Sequence, residues 1–291
     1  MKLGSHLSVA GGLHLALIEA QRLGMGCVQV FTKNQRQWRV PPLTDEHIKL
    51  WHEHVNKTGI KSTVSHNSYL INLASPVADT RRKSIALQRH ELLRCEALGI
   101  QHLVLHPGAH MQAGEDAGLR RVAKSLDRLH KDLPGLKVQS CLEITAGQGT
   151  SLGWCFEHLQ RIIELVSAPQ RLAVCLDTAH MLAAGYDLTS ERGARTTLTQ
   201  CDRILGPGRV AVLHLNDSKK PRGSRVDRHE HIGHGHVSLD AFRVFVRRRA
   251  FAKVPMILET AKQFNEQGVD WDTVNMDTLR SLARPKRAKP K

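Results

Sequence analysis

Six successive apolar runs in this 291-residue chain end in a residue able to hold a cation. The third run leads into Ser65-His66-Asn67, the fourth into Leu105-His106-Pro107-Gly108 and the fifth into Leu142-Glu143. The sixth reaches Leu176-Asp177-Thr178-Ala179-His180, the seventh Leu213-His214-Leu215-Asn216-Asp217 and the eighth Leu258-Glu259-Thr260. Any one of these is ordinarily a polar residue capping a strand or a helix. Several carboxylates meeting in a confined space, however, repel one another unless a cation lies between them. Imidazole nitrogen mixed with carboxylate oxygen, without thiolate, suits zinc or a similar divalent ion in a catalytic rather than a structural site. The loop after the seventh run adds Asp227 and His229, two positions apart and so able to face one side of an extended stretch. With His180 they make a third candidate ligand set.

For these side chains to meet, the apolar runs must be strands of one sheet that open at one end. The runs expected as strands are Lys2–Leu7, Cys27–Phe31, Lys61–Ser65, His102–Leu105, Lys137–Leu142, Leu172–Leu176, Val210–Leu215 and Val254–Leu258. Between them lie helical patterns near Leu13–Leu23, Thr44–Lys57, Val77–Leu98, Glu115–Lys131, Trp154–Val166, Leu239–Arg249 and Asp272–Leu282, with a less regular helical region up to Leu205. Strand–helix alternation repeated eight times predicts an α/β fold, a single (β/α)8 TIM barrel with its metal site at the C-terminal ends of the strands. An open doubly wound sheet is the alternative, but no Gly-x-Gly-x-x-Gly follows the first run. No linker divides the chain, so residues 1–283 read as one domain and residues 284–291 as a basic, Pro-containing tail expected to be disordered.

Composition bounds the partner. Lys and Arg number 42 against 27 Asp and Glu, a formal net charge of +15, and there are 18 histidines. Such a surplus favours a polyanion, because each Lys or Arg placed at a phosphate releases condensed counterions; a basic surface kept for solubility is the plainer reading. The six cysteines are scattered with no Cys-x-x-Cys pair, which fits a reducing compartment. Apolar runs too short to cross a membrane and no secretory h-region point to the cytoplasm.

Eight stretches carry a more specific signal. They are Phe31-Thr32-Lys33-Asn34-Gln35-Arg36-Gln37-Trp38, His66-Asn67-Ser68-Tyr69-Leu70-Ile71-Asn72-Leu73, His106-Pro107-Gly108, Glu143-Ile144-Thr145-Ala146-Gly147-Gln148-Gly149, Asp177-Thr178-Ala179-His180, His214-Leu215-Asn216-Asp217, Val226-Asp227-Arg228-His229 and Leu258-Glu259-Thr260. In this order, over nearly the whole chain, they resemble the endonuclease IV family. The resemblance implies three Zn2+ ions: one held by His66, His106 and Glu143, a second by Glu143 as a bridge with Asp177, His214 and Glu259, a third by His180, Asp227 and His229. The ligand set also tolerates Mn2+ or Fe2+. It implies hydrolysis of the phosphodiester 5′ to an abasic site by a hydroxide that the first two ions share, with Glu143 as the bridging ligand for that nucleophile. The products are a 3′-hydroxyl and a 5′-deoxyribose phosphate, with trimming of blocked 3′ ends as a companion activity. The partner is double-stranded DNA and the expected state a monomer. Asn34, Gln35 and Arg36 are expected to probe the abasic gap, with Tyr69 and Leu70 wedged into the base stack.

Two features depart from the family pattern. Ile144 stands where the motif has Asn, which removes a possible hydrogen bond behind the ligands. His110, His231, His234 and His236 are additional histidines, read first as exposed side chains and second as further phosphate or metal contacts. Two other functions compete: a sugar isomerase or epimerase on a related barrel, with fewer ligands and no need of the Asn34–Arg36 and Tyr69-Leu70 loops, and a non-catalytic binder of damaged DNA.

Overall fold

The computed structural model describes residues 1–285; of the expected basic tail, residues 286–291 lie outside the described residues. The strands β1 (Lys2–His6), β2 (Cys27–Val30), β3 (Thr63–His66), β4 (His102–Leu105), β5 (Gln139–Glu143), β6 (Leu172–Asp177) and β7 (Val210–His214) follow one another around a closed parallel barrel. Two short strands, β8 (Asp217–Ser218) and β9 (His229–Glu230), pair with each other as an antiparallel ribbon outside it, and β10 (Pro255–Leu258) closes the barrel between β7 and β1. Closure joins the two ends of the chain, Lys2 opposite Pro255 and Ser5 opposite Leu258. The TIM barrel expected from the alternation is the fold observed, and strand limits fall within two residues of those expected.

The helices α1 (Leu13–Arg22), α2 (Asp45–Thr58), α3 (Ala78–Ala97), α4 (Glu115–Asp132), α5 (Phe156–Leu165), α6 (Thr178–Ala184), α7 (Glu191–Leu205), α8 (Leu239–Arg247) and α9 (Trp271–Ala283) surround the strands. Their starts have chemical causes. The Thr44 hydroxyl accepts the His47 N–H in a capping box before α2, and Ser190 and Ser238 cap α7 and α8 in the same way. The region expected to be irregular resolves into α6 and α7, separated where Gly185 adopts φ 116° and ends the first of them.

The strands are short, rich in Val, Leu, Ile and Cys, and buried on both faces, as parallel strands beneath helices must be. One apolar cluster fills the space between strands and helices. A second, made of Cys27, Val64, Val104, Cys141, Ala173, Cys175, Val212 and Ile257, fills the barrel interior. On β1 the interior position is Gly4, where a Cβ would overlap the Cys27 carbonyl, so only glycine lets β1 and β2 approach this closely.

Candidate metal centre

Side chains alternate across a strand, so the residue two positions beyond an interior apolar one also points inward, one layer nearer the mouth. Two beyond Val64, Val104, Cys141, Cys175, Val212 and Ile257 are His66, His106, Glu143, Asp177, His214 and Glu259. Two beyond Gly4 and Cys27 are His6 and Gln29. The barrel therefore carries one polar layer directly above its apolar plug, and six of the eight residues in that layer are the candidate ligands anticipated from sequence.

Glu143, fully buried, stands at the centre. Its Oε2 lies 3.0 Å from His66 Nε2 and 3.1 Å from His106 Nε2, while its Oε1 lies 2.9 Å from His214 Nδ1. Burial is the largest influence on its carboxyl and favours the neutral form, yet the facing His214 and His106 hold it well below the usual carboxylate range. His214 Nδ1 is also 3.2 Å from Glu259 Oε2 and 3.9 Å from Asp177 Oδ2, so Glu143, Asp177, His214 and Glu259 form one cluster and His66, His106 and Glu143 another. Asp177 has a second duty, since its Oδ1 accepts the His180 N–H at 2.7 Å and caps α6.

The third set closes nearby. His180 Nε2 and His229 Nε2 face each other at 3.4 Å, and Asp227 places Oδ2 3.2 Å from the first and Oδ1 3.4 Å from the second. Asp227 is the outermost of the candidate ligands, with 41% of its side chain exposed. The β8–β9 ribbon brings it there, with His229 opposite Ser218. Buried Asp217 fastens the ribbon by accepting the N–H groups of Ser218, Gly233, Gly235 and Val237 at 2.7–3.0 Å. A side chain at Gly235 would collide with Asp217 and the Ser218 carbonyl, so this close approach requires glycine.

Donor chemistry decides whether divalent ions fit. His66 Nδ1 lies 2.9 Å from the Asn67 carbonyl, His180 Nδ1 2.9 Å from the Ile144 carbonyl and His229 Nδ1 3.3 Å from the Glu259 carbonyl. A carbonyl only accepts, so each ring donates outward through Nδ1 and turns Nε2 towards its carboxylate or its fellow imidazole. These inward nitrogens, with the carboxylate oxygens around them, make a donor set that suits a divalent cation. Ligand atoms around one tetrahedral zinc stand roughly 3.4 Å apart, given bonds of about 2.1 Å, and the separations of 2.9–3.9 Å within the three sets bracket that spacing. Ile144 is buried in the apolar core and its carbonyl does the orienting of His180, so this ring is held whichever side chain occupies the position.

The expected DNA-contacting residues lie around the same mouth. A cavity of about 630 Å3 is lined by His6, Phe31, Lys33, Asn34, Gln35, Tyr69, His229, Glu259 and Lys262 among others. Tyr69 is 66% exposed and stands edge-on to Phe31, the ring centroids 5.6 Å apart. Asn34 and Arg36 are exposed, Gln35 is half-buried, and the Ser68 hydroxyl donates to the Gln35 carbonyl at 2.6 Å, tying the two loops together. Buried Lys33 donates to the Asn34 and Gln37 carbonyls from beneath. Leu70 is half-buried against the core, so it anchors its loop at least as much as it faces outward.

Sequence reasoning missed three polar residues of this site. Fully buried Asn216 donates to Asp177 Oδ2 at 2.7 Å and accepts the Glu259 N–H at 2.7 Å. Gln29 and His6 occupy the ligand layer itself, and the spacing of two beyond Cys27 and Gly4 was the signal that would have found them. The additional histidines divide. His231 stacks on Trp271 with centroids 4.0 Å apart and is buried, while His234 and His236 are exposed and His110 is half-buried. None of the four joins a metal-ligating group among the described residues.

Residues 17–281 match the family model described as a xylose isomerase-like TIM barrel. The chain is 45% identical over 283 residues to the probable endonuclease 4 of Chloroflexus aurantiacus, covering 97% of this chain and 98% of that one. It is equally identical, over 287 residues, to the probable endonuclease 4 of Geobacter sulfurreducens, covering 99% and 96%. Among solved structures it is similar to endonuclease IV from Thermus thermophilus, with a TM-score of 0.84 and 31% identity over 97% of this chain and 98% of that one. A D-tagatose 3-epimerase-like protein shares the fold alone, at 16% identity and a TM-score of 0.72.

Proposed function

Since the chain belongs to the endonuclease IV family and is therefore a nuclease, we propose that it is an apurinic/apyrimidinic endonuclease. It hydrolyses the phosphodiester 5′ to an abasic site in double-stranded DNA, leaves a 3′-hydroxyl and a 5′-deoxyribose phosphate, and trims blocked 3′ ends. The observation that carries this reading is the convergence of nine candidate ligands, six from strand ends, one from α6 and two from the segment that runs into β9, into three adjoining sets, with the outward ring nitrogens of His66, His180 and His229 each held by a backbone carbonyl. Three zinc ions, when bound, supply a water acidic enough to attack at neutral pH and positive charge for the phosphate and the leaving oxygen.

The chain's own residues do the rest. Glu143 belongs to both of the first two sets, one oxygen facing His66 and His106 and the other His214, so it sets the distance between them. Asp227 and His229 ride on the ribbon, which gives the third set an edge that can adapt to a phosphate. Tyr69 and the Asn34–Arg36 loop stand clear of the core beside the cavity, where a planar ring and a guanidinium can enter the gap left by a missing base. An abasic nucleotide has no base to unstack, so extruding it costs less than flipping an intact one. In this reading the protein acts as a monomer in the cytoplasm; no helix among the described residues is long and apolar enough to cross a membrane.

Cleavage of an end-labelled duplex with one abasic-site analogue, before and after prolonged chelation, tests the proposal. Incision on the 5′ side that chelation abolishes and zinc restores, leaving an extendable 3′-hydroxyl, is the expected result. Tight binding without incision would instead mark a damage binder. Neither binding nor cutting would favour a sugar epimerase, which shares this fold.

A further inference from the structure

His214 differs from the histidines described above. His66, His180 and His229 are held from behind by backbone carbonyls, whereas His214 is held by a side chain, Gln29 of β2. We propose that Gln29 is a positioning residue that selects which nitrogen of His214 faces the metal centre and which oxygen of Glu259 is left free for it. The inference rests on the metal-nuclease reading of this site.

Donors and acceptors fix the orientation of the Gln29 amide. Its two ends lie 2.6 Å from Glu259 Oε1 and 2.9 Å from His214 Nε2. A carboxylate accepts and cannot donate, so the end facing Glu259 is the NH2 group and the end facing His214 is the carbonyl oxygen. His214 Nε2 must then carry the ring proton and donate to Gln29 Oε1. That turns Nδ1, the other ring nitrogen, to Glu143 Oε1, 2.9 Å away, and Glu259 Oε2, 3.2 Å away, where a bound cation would take it as its ligand atom. The amide also occupies Glu259 Oε1, which leaves Oε2 as the oxygen turned to the cluster. The second amide proton goes to His6 Nδ1 at 3.0 Å, nearer than the 3.5 Å between that nitrogen and Glu259. Gln29 and His214 are both fully buried, so water has no room to replace the amide. One side chain thus orients two candidate ligands of the same ion, from a strand that supplies no ligand itself.

The first test needs no substitution. In zinc-loaded protein labelled with 15N at histidine, the structure requires His214 to carry zinc on Nδ1 and the proton on Nε2; the opposite tautomer overturns the proposal. The second compares Gln29→Met, which keeps the volume and removes both polar ends, with the parent protein. Expected are one zinc bound about 10–100-fold more weakly, as for loss of a hydrogen bond behind a metal ligand, two retained, a lower kcat and an unchanged KM for abasic DNA. Three zincs held with parental affinity and an unchanged kcat overturn it. So does loss of all three together with the near-ultraviolet dichroism of the fold, which makes Gln29 a packing residue. A parent protein that binds no zinc and cuts no abasic DNA sinks the functional reading itself, which separates the two failures.

Discussion

Glu143 is the residue on which two ligand sets depend, and its substitution separates charge from shape. Glu143→Gln keeps the volume of the side chain and removes the charge that His214 and His106 hold in place. Cleavage is expected to fall by at least about 1,000-fold, the scale of an electrostatic group aimed at the reacting centre, with weakened binding of two of the three ions by elemental analysis. Unchanged turnover would remove Glu143 from the bridging role. Tyr69 is expected to behave oppositely. It touches the site edge-on through Phe31 and is mostly exposed, so Tyr69→Ala is expected to weaken binding of an abasic duplex by about 10–100-fold, the worth of 1–3 kcal/mol of stacking. Zinc content is expected to stay the same, and equal loss of zinc would make Tyr69 structural. At this scale the His, Asp and Glu candidates could be read from sequence because they recur in register, one at the end of each of six successive apolar runs. Asn216 could not, since amides occur throughout loops and strand ends and only the geometry shows what it holds, and Gln29 was legible only through its spacing of two beyond Cys27.

Among the elements, the β8–β9 ribbon is the piece that sequence periodicity could not predict. Each of its strands has only two residues, too short for any alternation to register. The long strands and helices, with runs of four residues and more, carried their periods openly, and the region between Asp177 and Leu205 looked irregular because one glycine divides it into two helices. The ribbon depends on Asp217, whose carboxylate gathers four backbone N–H groups, three of them from residues 233–237. Asp217→Ala leaves those donors without their partner, two of them in the buried residues Ser218 and Val237, at roughly 1–3 kcal/mol for such a loss. The variant is expected to melt several degrees lower by calorimetry and to shed the ion held by His180, Asp227 and His229 before the other two. Simultaneous loss of all three would show that the ribbon and the barrel mouth fold as one unit.

For the whole molecule, a formal charge of +15 predicts that recognition of a DNA backbone depends on salt. The logarithm of abasic-duplex affinity is expected to fall linearly with the logarithm of salt concentration, with a slope of about −0.9 per phosphate neutralised. A flat dependence, measured by fluorescence anisotropy across a salt series, would show that the basic excess serves solubility instead. The charge and the barrel were both legible before the structure, because one is a count and the other a repeated period. The closed seam between β1 and β10 was legible only as a consequence of the fold class, since no local feature of either run announces its partner.

That seam governs how the protein is born. Translation delivers Lys2 well before Pro255, so β1 waits for its second neighbour until β10 has been synthesised. Glu259 arrives directly after that strand, and Gln29 cannot find it sooner. A ribosome-bound nascent chain therefore holds His66, His106 and Glu143 long before it holds the complete second set. With metal bound as proposed, the second set is therefore expected to be the last completed, once β10 has shut the barrel.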